Sequence, residues 1–366
     1  MDSNDPLAHK RRRCRKKGTG EEVIYELQDT SKAEALFSGM EDSLVLSCLE
    51  KEMGKVFVTD PENPRSAMTY LAEFSTFAGE PDRALVKEKY KGFVVMVPPN
   101  AAWERLILDC FPAAERDTRY AIRKDTAFDR QKLQAIAAAL PEGYELKRID
   151  GTLYDLCRAD EDFEENVMHF DSKEDFLARG RGFAVLKDGK LVSAASSYTV
   201  YREGIEVQIA TAESERRKGL ASAACAKLIL SCLDDGLYPS WDAASMDSVR
   251  LAEKLGYTFS HPYTVYCVGA VYDDAIENPD RSNWANCVGR YEQNVADFHL
   301  GEIFLRDGEL YGTVFDRPDG DLTFRLIPVG NNTFGRNGGA LRVTFGDDCL
   351  VIDGIACKKI NDSNCV

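Results

Sequence analysis

Apolar positions recur at helical spacing in Leu44, Val45, Cys48 and Leu49, whereas residues 56–58 form a short continuous apolar run of the kind that builds a strand. A polar break at residues 60–64 follows, and residues 66–77 are read as a second helix, closed by Gly79-Glu80-Pro81, where the glycine permits a C-cap and the proline forbids continuation. Residues 92–97 are again continuously apolar and bounded by Pro98-Pro99, which predicts a buried strand. Helices over 101–111 and 129–140 flank a polar strand at 119–124. Strand, helix, strand order implies a small α/β unit up to the boundary Pro141-Glu142-Gly143.

From residue 144 the pattern predicts a strand (144–149), a helical stretch (155–179) and three antiparallel strands. The first two are joined at Lys187-Asp188-Gly189, where Asp-Gly is a hairpin signal; the second and third (191–201 and 205–211) meet at Glu203-Gly204. Ala221, Ala224, Cys225, Leu228 and Cys232 then mark a helix that Gly236 closes. Beyond residue 278 the strands alternate, as in Leu310, Gly312, Val314 and Leu322, Phe324, Leu326, with turns at Asp307-Gly308, Asp319-Gly320, Gly338-Gly339 and Asp353-Gly354. That rhythm predicts a small all-β barrel or sandwich. Four segments result: a basic disordered tail (1–20), an α/β half-domain (21–140), a second α/β domain (141–272) and a β-domain (278–366).

Composition narrows the function classes. The 366 residues carry a formal charge of −15, but the first 20 contribute about +5, so the remaining body is strongly acidic. Such a field repels phosphate backbones and attracts cations, which argues against nucleic acid as a partner and favours a cationic amine as substrate. The basic run at 9–17 reads as a solubilising tail more readily than as a nucleic-acid or membrane arm. No apolar run approaches the roughly 18 residues that span a bilayer, and the N-terminus lacks the apolar stretch of a signal peptide, so a cytoplasmic protein is expected. The 11 cysteines include no C-x-x-C pair and suit reduced thiols. The four histidines are far apart, and no metal site is expected.

Chemistry concentrates between residues 205 and 256. A strand (IEVQIAT) leads through a short turn into Arg216-Arg217-Lys218-Gly219-Leu220-Ala221 at the start of a helix. A helix N-terminus offers free N–H groups and the positive end of the macrodipole, and three cationic side chains stand beside it, so a pyrophosphate is the expected ligand. Here the sequence resembles the GNAT acetyltransferase superfamily, whose acyl-CoA loop reads Gln or Arg, two variable residues, Gly, one variable residue, then Gly or Ala. Arg216, Gly219 and Ala221 match it. YPSWDAA and SVRLAEKLGY resemble the strand and the helix ending in Gly-Tyr that follow in one bacterial branch with an extra N-terminal half-domain, a resemblance covering about residues 32–268.

The resemblance implies an α/β (α+β) fold with a GNAT-like mixed sheet flanked by helices, and an N-acetyltransferase that uses acetyl-CoA as cosubstrate in a ternary complex with an amine acceptor. It implies that the backbone of Gln208, Ile209, Ala210 and Thr211 pairs with pantetheine where two parallel strands splay. It further implies that Arg216, Arg217, Lys218, Gly219, Leu220 and Ala221 hold the pyrophosphate, and that an amide near Ile209 faces the acetyl carbonyl. Glu206 is the candidate base, with a solvent-facing strand residue as the alternative. Many members place a tyrosine acid where this chain has Ala252; Tyr257, Tyr263 and Tyr266 are the possible substitutes, with simple packing as the alternative. Ser245 stands where the family often has a cofactor-touching Asn, and also suits a helix cap. Trp241 and Asp242 are read as either cleft or core residues. The missing tyrosine leaves open a non-catalytic acyl-CoA sensor, and the β-domain is read as covering the acceptor cleft or mediating a homodimer.

Overall fold

The computed structural model describes residues 23–88, 91–291, 300–315, 321–338, 341–346, 349–352 and 355–360. In chain order the first half holds β1 (Tyr25–Glu26), α1 (Ser31–Glu34), α2 (Ser43–Leu49), β2 (Lys55–Val58), β3 (Ser66–Leu71), β4 (Phe74–Gly79), α3 (Arg83–Lys87), β5 (Val94–Val97), α4 (Ala101–Cys110), β6 (Glu115–Ile122) and α5 (Arg130–Ala138). The second holds β7 (Tyr144–Arg148), α6 (Gly151–Arg158), α7 (Lys173–Arg179), β8 (Gly182–Lys187), β9 (Lys190–Tyr201), β10 (Gly204–Thr211), α8 (Leu220–Asp234), β11 (Tyr238–Ser240), β12 (Asp242–Ala243), α9 (Met246–Leu255) and β13 (Phe259–Val268). Short polar side chains begin most of these helices. Asp42, Asp82, Asn100, Asp129 and Asp150 each accept two backbone N–H groups of the first turn.

Two mixed sheets carry the molecule. One runs β1-β2-β3-β4-β5-β13-β6-β12 and the other β11-β10-β9-β8-β7. The halves read from the sequence are therefore interleaved: β13 lies between β5 and β6, and β12 pairs with β6. The chain passes between the sheets twice, from β6 through α5 to β7 and from β11 back to β12. β11 runs parallel to β10 over only three pairs, from Gly204↔Tyr238 to Glu206↔Ser240, and two residues later Asp242 already pairs with Ala121 of β6. On that side β10 loses its neighbour after Glu206.

The segment 66–77 is not a helix. It forms the β3–β4 hairpin, registered from Ser66↔Gly79 to Leu71↔Phe74 and turned through Ala72 at φ 52°. Both strands are buried on nearly every residue, so they lack the polar alternation that would have separated a strand from a buried helix. The predicted helix at 155–179 is two helices, α6 and α7, the second newly capped by Ser172, whose side chain accepts the Asp175 N–H. Asp188 (φ 49°) and Gly189 (φ 77°) make the tight β8–β9 turn that Asp-Gly signals.

After β13 the described strands are antiparallel and form a four-stranded and a five-stranded sheet. They share a core that includes Ile303, Leu310, Phe334, Val343 and Leu350. Asn337 ties this part to the end of β13, accepting the Gly269 N–H at 2.6 Å and donating to the Cys267 carbonyl at 3.1 Å. The basic tail and the turns expected at Asp319-Gly320 and Asp353-Gly354 lie outside the described residues, as does Gly339 of the turn expected at Gly338-Gly339.

Candidate active site

Where the two sheets part, a cleft of about 1030 Å³ opens. Its walls come from the start of α2, the β3–β4 turn, the end of β6, the middle of β9 and β10, Trp241, Asp242 and Tyr263. A register shift between β9 and β10 sits in its wall: Glu206 faces Thr199 but Val207 faces Ser197, which leaves Tyr198 as the extra residue, lining the cleft. Bulges of this kind re-aim side chains beside active sites.

Glu206 lines this cleft at 5% exposure. It is not the solvent-facing strand residue considered from the sequence, because β10 is an interior strand covered by α2. One carboxylate oxygen accepts the Asp242 N–H at 2.6 Å, and the other accepts the Ser43 hydroxyl. Burial pushes its pKa up from 4.5 to about 7, opposed by the charge of Lys124 and the bond from Ser43. Beside it, Asp242 accepts from Arg119 Nε at 2.6 Å and from the Tyr263 hydroxyl at 2.9 Å. Burial raises the Asp242 pKa, with Arg119 pulling the other way. Burial and the neighbouring Asp242 keep the Tyr263 phenol protonated far above the usual range.

Gln208 and Ile209 line the cleft, and Ala210 and Thr211 continue β10 along the edge that β11 has left. Past the end of β10, the expected loop is a loop and not a continuous helix. Arg217 (φ 67°) and Gly219 (φ 84°) are left-handed, and α8 begins only at Leu220. Gly219 contributes no capping side chain, so the first-turn N–H groups of α8 receive no side-chain cap. A Cβ at Gly219 would meet nothing within 4 Å, so the approach to that helix end is open. Arg216, Arg217 and Lys218 are exposed. Lys218 donates to Glu215 at 2.7 Å, and Glu215 also takes Lys187 and the Tyr144 hydroxyl, which hold its pKa down at about 2. Leu220 is a core side chain and contributes backbone alone to this surface. The loop is not part of the cleft lining; it lies farther along the same strand edge.

Two other candidates stand apart from this grouping. Tyr266 packs in the core against β5 and β6, with its hydroxyl on Glu104 at 3.0 Å, and is not in the cleft. Ser245 caps α9, accepting the Ser248 N–H at 3.3 Å, and is likewise absent from the cleft lining. Trp241 is buried, reaches the Ser248 hydroxyl at 3.0 Å and, like Asp242, lines the cleft. Sequence reading missed Ser43, Glu73, Arg119, Glu165 and Tyr198, all in the cleft wall. No local motif marks them.

The site thus combines a cleft at the parting of two strands, a buried carboxylate in its wall and, farther along the same strand edge, a left-handed bend into an uncapped helix N-terminus. The chain belongs to the GNAT acetyltransferase family, whose model it matches over residues 34–266. It is 40% identical to a GCN5-related N-acetyltransferase-like protein from Streptococcus suis 89/1591, over 65% of this chain and 97% of that one, with a TM-score of 0.62. It is also 35% identical over 134 residues to the uncharacterized N-acetyltransferase YdfB of Bacillus subtilis (strain 168). That match covers 36% of this chain and 50% of the relative, so the chain spans about half the length of this curated relative.

Proposed function

We propose that the protein transfers an acetyl group from acetyl-CoA to a cationic amine by direct attack in a ternary complex. The observation that carries this reading is Glu206, a buried carboxylate with a pKa near neutrality in the wall of a cleft large enough for an acceptor. A proton acceptor poised near working pH is what a protonated amine requires before its nitrogen can attack.

In this reading the backbone amides of Arg217 to Ala221 take the pyrophosphate, with Arg216 and Arg217 as counter-charges, and pantetheine runs along the free edge of β10 from Gln208 to Thr211. An amide near Ile209 stabilises the oxyanion. Glu206 removes one proton from the ammonium, the freed lone pair forms the C–N bond, and the C–S bond breaks as the tetrahedral intermediate collapses. The departing thiolate takes a proton from Tyr263, whose phenol is protonated throughout the working range, and the second proton that the nitrogen sheds as the amide forms restores the phenol. Tyr266, with its hydroxyl on Glu104, has no part in this scheme.

Cation preference rests on the cleft wall. Glu41, Asp42, Glu73, Asp125, Glu165, Glu206 and Asp242 line it against Arg119, Arg123 and Lys124, and both arginines are paired to carboxylates of the same wall. Tyr198 donates to Glu73 at 2.6 Å and Gln208 to Glu165 at 2.9 Å, which holds those carboxylates in place. Purified protein incubated with acetyl-CoA and a panel of polyamines, aminoglycosides and peptides is expected to release CoA above hydrolysis with cationic amines. No release across the whole panel refutes the proposal.

A further inference from the structure

Glu206 and Ser43 are 163 residues apart in the chain, and their hydrogen bond joins the two interleaved halves at a fully buried point. Ser43 opens α2 and is 1% exposed. Its position is fixed twice over. Asp42 caps the helix by accepting the N–H groups of Leu44 at 2.8 Å and Val45 at 3.4 Å, which sets the backbone entry into α2. One turn on, buried Ser47 donates to the Val200 carbonyl at 2.6 Å and receives the Thr199 hydroxyl at 3.0 Å, pinning the helix across β9.

The groups facing Glu206 come from every side. Asp42 on α2 and Asp242 on β12 disfavour its ionised form, and Lys124, just past β6, favours it. Tyr201 on β9, Tyr238 on β11 and Tyr257 after α9 are neutral phenols around it. Among the described residues, two neutral donors hold the carboxylate: the Asp242 main-chain N–H, which any residue there but proline would supply, and the Ser43 hydroxyl, which depends on the side chain. A hydrogen bond to the charged form of an acid stabilises that form and is roughly twice as strong as a neutral one.

We infer that Ser43 is a positioning residue for the transfer reaction: its hydroxyl orients the Glu206 carboxylate and stabilises the ionised form, so the N-terminal half sets the basicity of a base carried by the other half. This rests on the reading of Glu206 as proton acceptor. Full-length protein with ¹³C-labelled glutamate carboxyl carbons tests the two separately, because the Glu206 resonance, identified by its loss in Glu206→Gln, titrates without any acceptor. Ser43→Ala is expected to move that midpoint up by about one pH unit, and Ser43→Thr to restore it. If the alanine variant does not fold, Ser43→Cys keeps a weaker donor of similar size and gives a smaller upward shift. With an acceptor from the amine panel, the acid limb of kcat/KM is expected to follow the same order. A midpoint unchanged in Ser43→Ala or Ser43→Cys overturns the inference. A shifted midpoint combined with full transfer activity in Glu206→Gln overturns instead the catalytic reading beneath it.

Discussion

Glu206→Gln should make the enzyme more stable and less active, and the pH dependence of the first effect is fixed by the site. In the folded protein the carboxyl pKa is about 7 against 4.5 for an ordinary glutamate, so between those values the folded state binds more protons than the unfolded one. Stability contributed by this group is therefore complete below about pH 4.5 and is lost as pH rises through about 7. At 1.36 kcal/mol per unit, ionised Glu206 costs roughly 3 kcal/mol at pH 8. Glutamine does not titrate and keeps both contacts: its oxygen can accept the Asp242 N–H, and its amide can donate to the Ser43 oxygen. Calorimetric scans should show the variant melting about 6–12 °C above the parent at pH 8, taking 2–4 °C per kcal/mol, with the gap shrinking below about 1 kcal/mol at pH 5. CoA release with a cationic acceptor should fall by about 10²–10⁴. A variant less stable than the parent at pH 8, or offset equally at all pH values, would refute the ionised buried acid; undiminished turnover would refute its role as base.

Arg216→Glu and Gly219→Asp each place negative charge at the proposed pyrophosphate site, and titration calorimetry should show acetyl-CoA affinity falling at least about tenfold with an unchanged circular dichroism spectrum; equal affinity would remove the loop assignment. Tyr263→Phe should lower kcat with little change in KM for acetyl-CoA, whereas Tyr266→Phe should leave kcat alone and cost about 1 kcal/mol of stability through the lost Glu104 contact. Equal kcat losses in both would show that cleft position does not separate them. Glu73→Gln should raise KM for a polyamine acceptor several-fold at low ionic strength, with the effect fading in high salt. A salt-independent change would point to packing in place of charge.

What was legible in the sequence was whatever depends on neighbours along the chain. Asp188-Gly189 makes its turn because those two residues tolerate left-handed backbone. Arg216 to Ala221 could be read for the same reason, since a glycine bend before an apolar helical stripe has one local solution. Even the composition of the cleft had a trace, in the acid excess of the body outside the basic tail.

Tertiary structure decided the rest. Residues 66–77 became a hairpin because burial on both faces erases the periodicity that distinguishes strand from helix, and only the neighbours β2 and β5 settle it. Sequence offered Glu206 both as candidate base and as a solvent-facing strand residue; its burial follows from α2 packing over β10, and its hydrogen bonds come from residues 36 and 163 positions away. Tyr263 and Tyr266 look equivalent in sequence, three residues apart on one strand. Alternation of strand side chains, together with the position of β13 between β5 and β6, turns one toward the cleft and the other toward Glu104. Local dihedral preferences are encoded residue by residue, whereas burial and long-range hydrogen bonds exist only once distant segments have met.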